Sequence, residues 1–121
     1  MSKRILAIED QEDNRRILRD LLTAKGYELL EATTGEEGLA AAERERPDLI
    51  LMDIQLPGLD GYEATRRIKG NPALRHIPII VVTSYALSGD DVKAFEAGCD
   101  AYVTKPFSPR LLLAKIEEHL R

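Results

Sequence analysis

The chain has 121 residues, enough for one hydrophobic core, and we expect residues 1–121 to form a single domain. Its net charge of -4 argues against nucleic acid as the main partner, which would favour a strongly basic face. Because the chain has one cysteine, it cannot form an internal disulfide. It has no long apolar run, so we expect neither secretion nor insertion into a membrane. We therefore expect a cytoplasmic protein.

Five strand-like runs alternate with five helical patterns along the chain. The predicted strands are, in chain order, RILAIED (4–10), YELLEAT (27–33), DLILMD (48–53), IPIIVVT (77–83) and AYVTK (101–105). The predicted helices follow them in turn, at 13–25, 34–46, 60–69, 88–97 and 109–121. The first helix has an apolar face that should pack against the sheet, made of Ile17, Leu18, Leu21 and Leu22.

Polar residues and glycines at the ends of these patterns set the expected helix boundaries. Serine, threonine and aspartate favour the N-cap, and the candidates are Thr34 with Glu37, Asp60 with Glu63, Ser88 with Asp91, and Ser108 before Pro109. Glycine favours the position after a helix, and Gly26 and Gly98 follow the first and fourth helices. The boundaries support five separate β–α units.

The alternation of strands and helices predicts an α/β fold with a parallel sheet and right-handed crossovers. The third and fourth strands are nearly continuous apolar runs, as expected for strands covered on both faces. Binding sites in such sheets lie beyond the carboxyl ends of the strands. The residues that end each strand are therefore the first candidates for a functional site.

Acidic, hydroxyl and basic side chains stand at four of these strand ends. In chain order they are Glu9 and Asp10, Asp53, Thr83 and Ser84, and Lys105 before Pro106. If the first and third strands are neighbours, three carboxylates meet in one crevice and repel each other unless a cation binds. Hard oxygen ligands with open positions suit Mg²⁺, which completes its shell with water and phosphate oxygens.

This combination makes Asp53 a candidate nucleophile that accepts a phosphoryl group as an acyl phosphate. The metal and Lys105 would neutralise charge on the transferring group, which is most of what phosphoryl transfer requires of a protein. Each residue alone has a plainer explanation, since acids often begin helices and a threonine often satisfies a backbone group. The conjunction at separate strand ends favours phosphoryl transfer.

Segments along the whole chain resemble the receiver domain of two-component response regulators. They are IED (8–10), LILMDIQLPGLDGYE (49–63), IPIIVVTSYA (77–86) and GCDAYVTKPF (98–107). The resemblance implies a flavodoxin-like, doubly wound parallel sheet with strand order 2-1-3-4-5 and helices on two faces. It also implies phosphorelay signalling, with a histidine kinase or a phosphotransfer protein as the phosphodonor.

The resemblance further implies roles for the residues at the strand ends. Asp53 would be the phosphoacceptor and Mg²⁺ the cofactor, bound by Asp10, the Asp53 carboxylate and the Gln55 main-chain carbonyl. Glu9 would act mainly through a metal-bound water. Lys105 would contact the phosphoryl group. The protein would be a regulator with self-catalysed phosphoryl transfer and autodephosphorylation, not an enzyme acting on other molecules.

Other positions match the family's supporting residues. Lys105 and Pro106 resemble its cis peptide, and the backbone N–H groups of Ile54 and Ser84 would approach the phosphoryl group. The family's switch pair is matched by Thr83 and Tyr102. A surface made of the fourth helix, fifth strand and fifth helix would then select a downstream protein target. The resemblance implies a monomer or a weak, phosphorylation-dependent dimer.

Two other functions remain open at this point. A flavodoxin-like flavin or nucleotide binder could share the fold. However, the loop EDQEDN (9–14) is acidic at the place where such proteins bind phosphate. A degenerate receiver could serve only as an interaction module, although all five chemical positions are intact. Near the acids, Arg15, Arg16 and Arg19 favour a solvated helix face over a docking surface for the phosphodonor.

Overall fold

The computed structural model describes residues 2–83 and 89–120, in which strands and helices alternate. The strands are β1 (Arg4–Ile8), β2 (Glu28–Ala32), β3 (Leu49–Met52), β4 (Ile79–Thr83) and β5 (Ala101–Thr104). The helices are α1 (Glu12–Ala24), α2 (Gly35–Glu45), α3 (Gly61–Lys69), α4 (Asp90–Ala97) and α5 (Pro109–His119). Every predicted element is present, and each strand is one or two residues shorter than predicted at one or both ends.

The five strands form one parallel sheet in the order β2-β1-β3-β4-β5, which confirms the predicted strand order. The register pairs Ile8 with Ala32 on one side and with Met52 on the other. Met52 pairs in turn with Val81 of β4. Because neighbouring strands end at nearly the same level, the residues that follow β1 and β3 are brought side by side.

The hydrophobic core has two halves, one on each face of the sheet, as the predicted arrangement of helices requires. The helices α1 and α5 cover one face with the buried side chains Leu18, Leu22, Leu112 and Ile116. The helices α2, α3 and α4 cover the other face with Ala41, Ala42, Ala64, Ile68 and Ala94. Since β1, β3 and β4 are buried on both faces, their continuous apolar sequences are explained.

Side-chain caps begin three of the helices as predicted. Thr34 accepts a hydrogen bond from the Glu37 amide (3.0 Å), and Asp60 accepts one from the Glu63 amide (2.9 Å). Ser108 caps α5 in the same way, ahead of Pro109 at its first turn. The fourth predicted cap, Ser88, lies outside the described residues, and α4 begins after Gly89.

The predicted apolar face of α1 is wrong at one residue. Leu18 and Leu22 are buried and Leu21 is partly buried, but the Ile17 side chain is 53% exposed. Ile17 instead lines a groove beside the chain that follows β5. That groove has a volume of about 340 Å³ and is lined by Asn14, Ile17, Lys105, Pro106, Phe107 and Pro109.

Candidate functional site

Main-chain hydrogen bonds extend the parallel sheet beyond the strands at its carboxyl edge. The Asp53 amide donates to the Ile8 carbonyl at 3.0 Å, although β3 ends one residue earlier. The Lys105 amide donates in the same way to the Thr83 carbonyl at 2.8 Å, just after β5. Asp53 and Lys105 therefore have main-chain positions set by the sheet, although both follow a strand.

Three carboxylates from two neighbouring strand ends form a cluster at this edge. One oxygen from each of Glu9, Asp10 and Asp53 lies within 4.8 Å of the others. Glu9 is 2% exposed and Asp53 is 7% exposed, whereas Asp10 is partly open to solvent. The sheet order thus produces the convergence of acids that the sequence predicted, and it leaves one of them open to solvent.

Lys105 brings a positive charge into the acidic cluster from the end of β5. Its Nζ hydrogen-bonds the Glu9 carboxylate and lies 3.5 Å from Oδ2 of Asp53. The Lys105 side chain is itself nearly buried. The peptide bond between Lys105 and Pro106 is cis, the geometry that the resemblance implies. Lys105 therefore lies where it can contact a group attached to Asp53.

The charges in the cluster do not balance, because one ammonium group faces three carboxyl groups. Burial raises the pKa of the Glu9 carboxyl above its ordinary value, and the Lys105 hydrogen bond opposes that rise. A divalent cation would relieve the remaining repulsion. The ligands offered are hard carboxylate oxygens, one of them solvent-accessible, which are the ligands Mg²⁺ prefers. The donor set therefore fits magnesium.

The loop after Asp53 packs tightly against the start of α3. The amide of Gln55 lies 3.3 Å from Oδ1 of Asp53, and the Ile54 carbonyl accepts a hydrogen bond from the Gly61 amide at 2.9 Å. A Cβ atom added at Gly61 would lie 2.1 Å from the Asp53 carbonyl oxygen. Only glycine allows α3 to approach the acceptor loop this closely.

The predicted switch residues lie on the two strands farthest from β2. Thr83 is fully buried at the end of β4 and is paired in register with Thr104 of β5. Tyr102 on β5 is half-buried and packs against the core half under α2, α3 and α4. Ser84, the predicted amide donor after β4, lies outside the described residues.

Two features of the site were missed or misjudged from the sequence. The Arg15 side chain, predicted on a solvated face, is 14% exposed and donates to the Glu9 carbonyl at 2.9 Å. Its spacing of one helical turn from Glu12 could have signalled an ion pair, but not the contact with Glu9. The Tyr62 hydroxyl donates to the Asp90 carbonyl at 3.3 Å, and burial raises the pKa of Tyr62 to about 12.

Comparison with known proteins agrees with the fold and the strand-end cluster. Residues 5–117 match the response regulator receiver domain family, and the chain belongs to that family. It acts in two-component signalling, and the resemblance noted from the sequence is confirmed. Within residues 2–83 and 89–120, no helix is long and apolar enough to cross a membrane.

One similar protein is the polar-differentiation response regulator DivK of Brucella anthropi, to which the chain is 44% identical over 120 residues. The alignment covers 99% of this chain and 98% of that protein. A CheY-like receiver domain from Methanospirillum hungatei is 38% identical with a TM-score of 0.92, covering 99% of this chain and 94% of that one. The receiver domain of the Pseudomonas aeruginosa sensor histidine kinase PA1611 is 37% identical with a TM-score of 0.92, covering 99% of this chain and 98% of that one. Its structure contains a magnesium ion coordinated in the active-site cleft.

Proposed function

We propose that this protein is a phosphorelay regulator in which Asp53 accepts a phosphoryl group from a histidine kinase or phosphotransfer protein. The observation that carries the proposal is the buried Asp53 carboxylate, which shares an acidic cluster with Glu9 and Asp10 and lies 3.5 Å from Lys105 Nζ. An Asp53 oxygen attacks phosphorus as the phosphorus–nitrogen bond of the donor's phosphohistidine breaks. The product is an acyl phosphate, which the same site then hydrolyses.

Magnesium is the proposed cofactor, in line with the ion in the PA1611 receiver domain. Asp10, the Asp53 carboxylate and the Gln55 main-chain carbonyl would bind it directly, and Glu9 would bind it through water. The bound ion would offset negative charge on the phosphoryl group. The donor set of three clustered carboxylates supports this assignment.

The remaining groups at the strand ends are proposed to bind the phosphoryl oxygens. The Lys105 ammonium supplies positive charge from the side of β5, and the Thr83 hydroxyl supplies a hydrogen bond. Backbone N–H groups of Ile54 and Ser84 complete the set. Because the transferring group carries charge on its peripheral oxygens, such donors act by electrostatic stabilisation.

The phosphodonor is proposed to dock on the groove beside α1. The exposed Ile17 and Phe107 line this groove together with Lys105, which also hydrogen-bonds Glu9 of the acidic cluster. A partner helix seated there would hold its phosphohistidine close to Asp53. The apolar lining gives that partner a contact surface that water would otherwise cover.

Acetyl phosphate tests the proposed chemistry without requiring the cognate kinase. We expect the protein to gain one phosphoryl group per chain when acetyl phosphate and Mg²⁺ are supplied, and none in excess chelator. Intact-mass spectrometry measures both arms, and unchanged circular dichroism in chelator is the control for folding. If no phosphoryl group is gained with Mg²⁺, the chain is an interaction module and this proposal is wrong.

The signal is proposed to leave the site through Thr83 and Tyr102 and to change the surface made of α4, β5 and α5. Thr83 moves toward the phosphoryl group, and the Tyr102 ring, now half-buried, turns further inward. Two discrete ring positions form the bistable element that a switch requires. The exposed apolar residues Val92 and Phe95 of α4 would contact the downstream protein target.

Thr83→Ala is expected to keep phosphorylation at Asp53 but to weaken the response of Tyr102, because the hydroxyl links the two. The nuclear magnetic resonance signals of Tyr102 are followed as beryllofluoride, a phosphoryl mimic, is added. The shift should be smaller in Thr83→Ala than in the unsubstituted protein. Thr104→Ala, at the exposed cross-strand neighbour, is the matched control and should respond fully. Equal Tyr102 shifts in Thr83→Ala and the unsubstituted protein would exclude this link.

The wider setting is also part of the proposal. We propose that residues 1–121 form a receiver domain in the cytoplasm, and that it is a monomer or a weak dimer that forms on phosphorylation. Partners are a phosphodonor and a downstream protein, with no direct role for nucleic acid or membrane. The net charge of -4 supports the exclusion of nucleic acid.

A further inference from the structure

The Arg15 guanidinium group connects three separate parts of the structure around the β1–α1 loop. Its Nη1 donates to the Glu9 carbonyl at 2.9 Å, and its Nη2 donates to Glu12 Oε2 at 2.6 Å. Its Nε lies 3.5 Å from Oε1 of Glu31 on β2. The Arg15 side chain is 14% exposed, so its contact with the Glu9 carbonyl is partly shielded from competing water, whereas the Glu12 side chain is 57% exposed.

These contacts hold the loop that carries two of the clustered acids. The Glu9 amide donates to the Ala32 carbonyl of β2 at 3.0 Å, while the Glu9 carbonyl accepts from Arg15. The polar groups of the Glu9 backbone are thus fixed from two directions. Its carboxylate accepts from the Gln11 amide at 3.1 Å and from Lys105. The direction of the main chain from Glu9 to Asp10 therefore depends on the contact with Arg15.

Glu31, the residue on β2 that Arg15 contacts, is itself bound by a second arginine. Arg19 makes two hydrogen bonds to the Glu31 carboxylate, at 2.9 Å and 2.8 Å, in the paired geometry typical of arginine and carboxylate. This pairing lowers the pKa of Glu31 below its ordinary value. Arg15 therefore joins the loop to a fixed, charged point on the edge strand.

We propose that Arg15 is a positioning residue that preorganises the β1–α1 loop for divalent metal binding. The inference rests on the proposed function, because it assigns the metal to the cluster of Glu9, Asp10 and Asp53. Arg15 touches none of the three carboxylates among its described hydrogen bonds and acts through the Glu9 main chain.

The physical reason is that groups behind the metal ligands set their orientation. Loss of such a group typically costs ten-fold or more in metal affinity. Without the charge-assisted hydrogen bond from Arg15, the loop must be ordered when the metal binds, and that ordering opposes binding. The chemistry at Asp53 is unchanged once the metal is bound. The effect should therefore appear in affinity for Mg²⁺ and disappear at saturation.

The test compares Arg15→Gln with Arg16→Gln in the full chain. Both remove one positive charge from α1, but Arg16 is 61% exposed and pairs only with Asp13 among its described contacts. Titration with Mg²⁺ alone, followed by the amide resonances of Asp10 and Gln11, measures the dissociation constant. We expect it to rise about ten-fold in Arg15→Gln and to stay unchanged in Arg16→Gln.

Two further measurements separate positioning from general loss of structure. At saturating Mg²⁺, Arg15→Gln should accept the phosphoryl group from acetyl phosphate at the rate of the unsubstituted protein. Arg15→Lys, which keeps the charge but has only one donor nitrogen, should recover part of the affinity. If Arg15→Gln fails to fold, Arg15→Lys replaces it as the test variant, and we then expect an intermediate loss of Mg²⁺ affinity.

The outcomes distinguish this inference from the function on which it rests. If Arg15→Gln binds Mg²⁺ as tightly as the unsubstituted protein does, the role of Arg15 is overturned but the proposed function is not. The same conclusion follows if Arg15→Lys is used in its place and shows equal affinity. An Arg15 variant whose rate stays low at saturating Mg²⁺ would also overturn it, since the defect would then lie in the chemistry. Failure of the unsubstituted protein to bind Mg²⁺ would overturn the proposed function itself.

Discussion

Asp53→Asn is expected to abolish phosphorylation and to raise stability in metal-free buffer. An amide is a poor nucleophile for phosphorus, so no acyl phosphate can form at this position. Removing one of three clustered charges relieves repulsion that exists only in the folded state. We expect the free energy of unfolding to rise by about 1 kcal/mol, because Lys105 keeps its contact with Glu9.

The measurements are intact mass after treatment with acetyl phosphate and Mg²⁺, and urea denaturation in chelator. Asp60→Asn is the matched control, since it makes the same chemical change at the exposed N-cap of α3. Asparagine caps a helix about as well as aspartate, so this variant should be phosphorylated normally and remain as stable. A full phosphoryl gain in Asp53→Asn would mean that another residue is the acceptor.

Gly61→Ala is expected to damage both stability and the acceptor site. The new Cβ would lie 2.1 Å from the Asp53 carbonyl oxygen and 2.7 Å from the Ile54 Cα. These are backbone atoms, so α3 or the acceptor loop must move instead of a flexible side chain. We expect a loss of about 3 kcal/mol in the free energy of unfolding. Displacement of Asp53 should also slow phosphorylation, on the order of 100-fold.

Gly70→Ala is the control for the Gly61 substitution. Gly70 follows α3 with φ -81, and its added Cβ would meet the Arg66 carbonyl at 3.1 Å, a tight contact that a shift of a few tenths of an ångström relieves. This variant should change stability by less than about 1 kcal/mol and leave phosphorylation intact. Urea denaturation and the rate of phosphoryl gain are measured for both variants. A Gly61→Ala protein with normal stability and rate would show that the close packing of α3 is unimportant.

The sequence alone was sufficient for the fold class and for the choice of candidate site residues. Alternation of apolar and helical patterns is a local property, and the topology of parallel β–α units then brings every strand's carboxyl end to one edge. Glu9, Asp53 and Lys105 could therefore be selected as neighbours without coordinates. The caps at Thr34 and Asp60 were predictable for the same reason, because a cap and its helix lie within four residues of each other.

Only the tertiary structure decided which of these groups contact each other and which side chains are covered. Glu9 and Lys105 are 96 residues apart in the chain, and their hydrogen bond depends on how β1 and β5 are spaced across the sheet. The same holds for Ile17, exposed where the chain after β5 leaves a groove. It holds also for Arg15, whose helical neighbours indicate an ion pair with Glu12 but not the Glu9 carbonyl. A side chain's nearest partners across a sheet depend on packing distances that no local pattern in the sequence encodes.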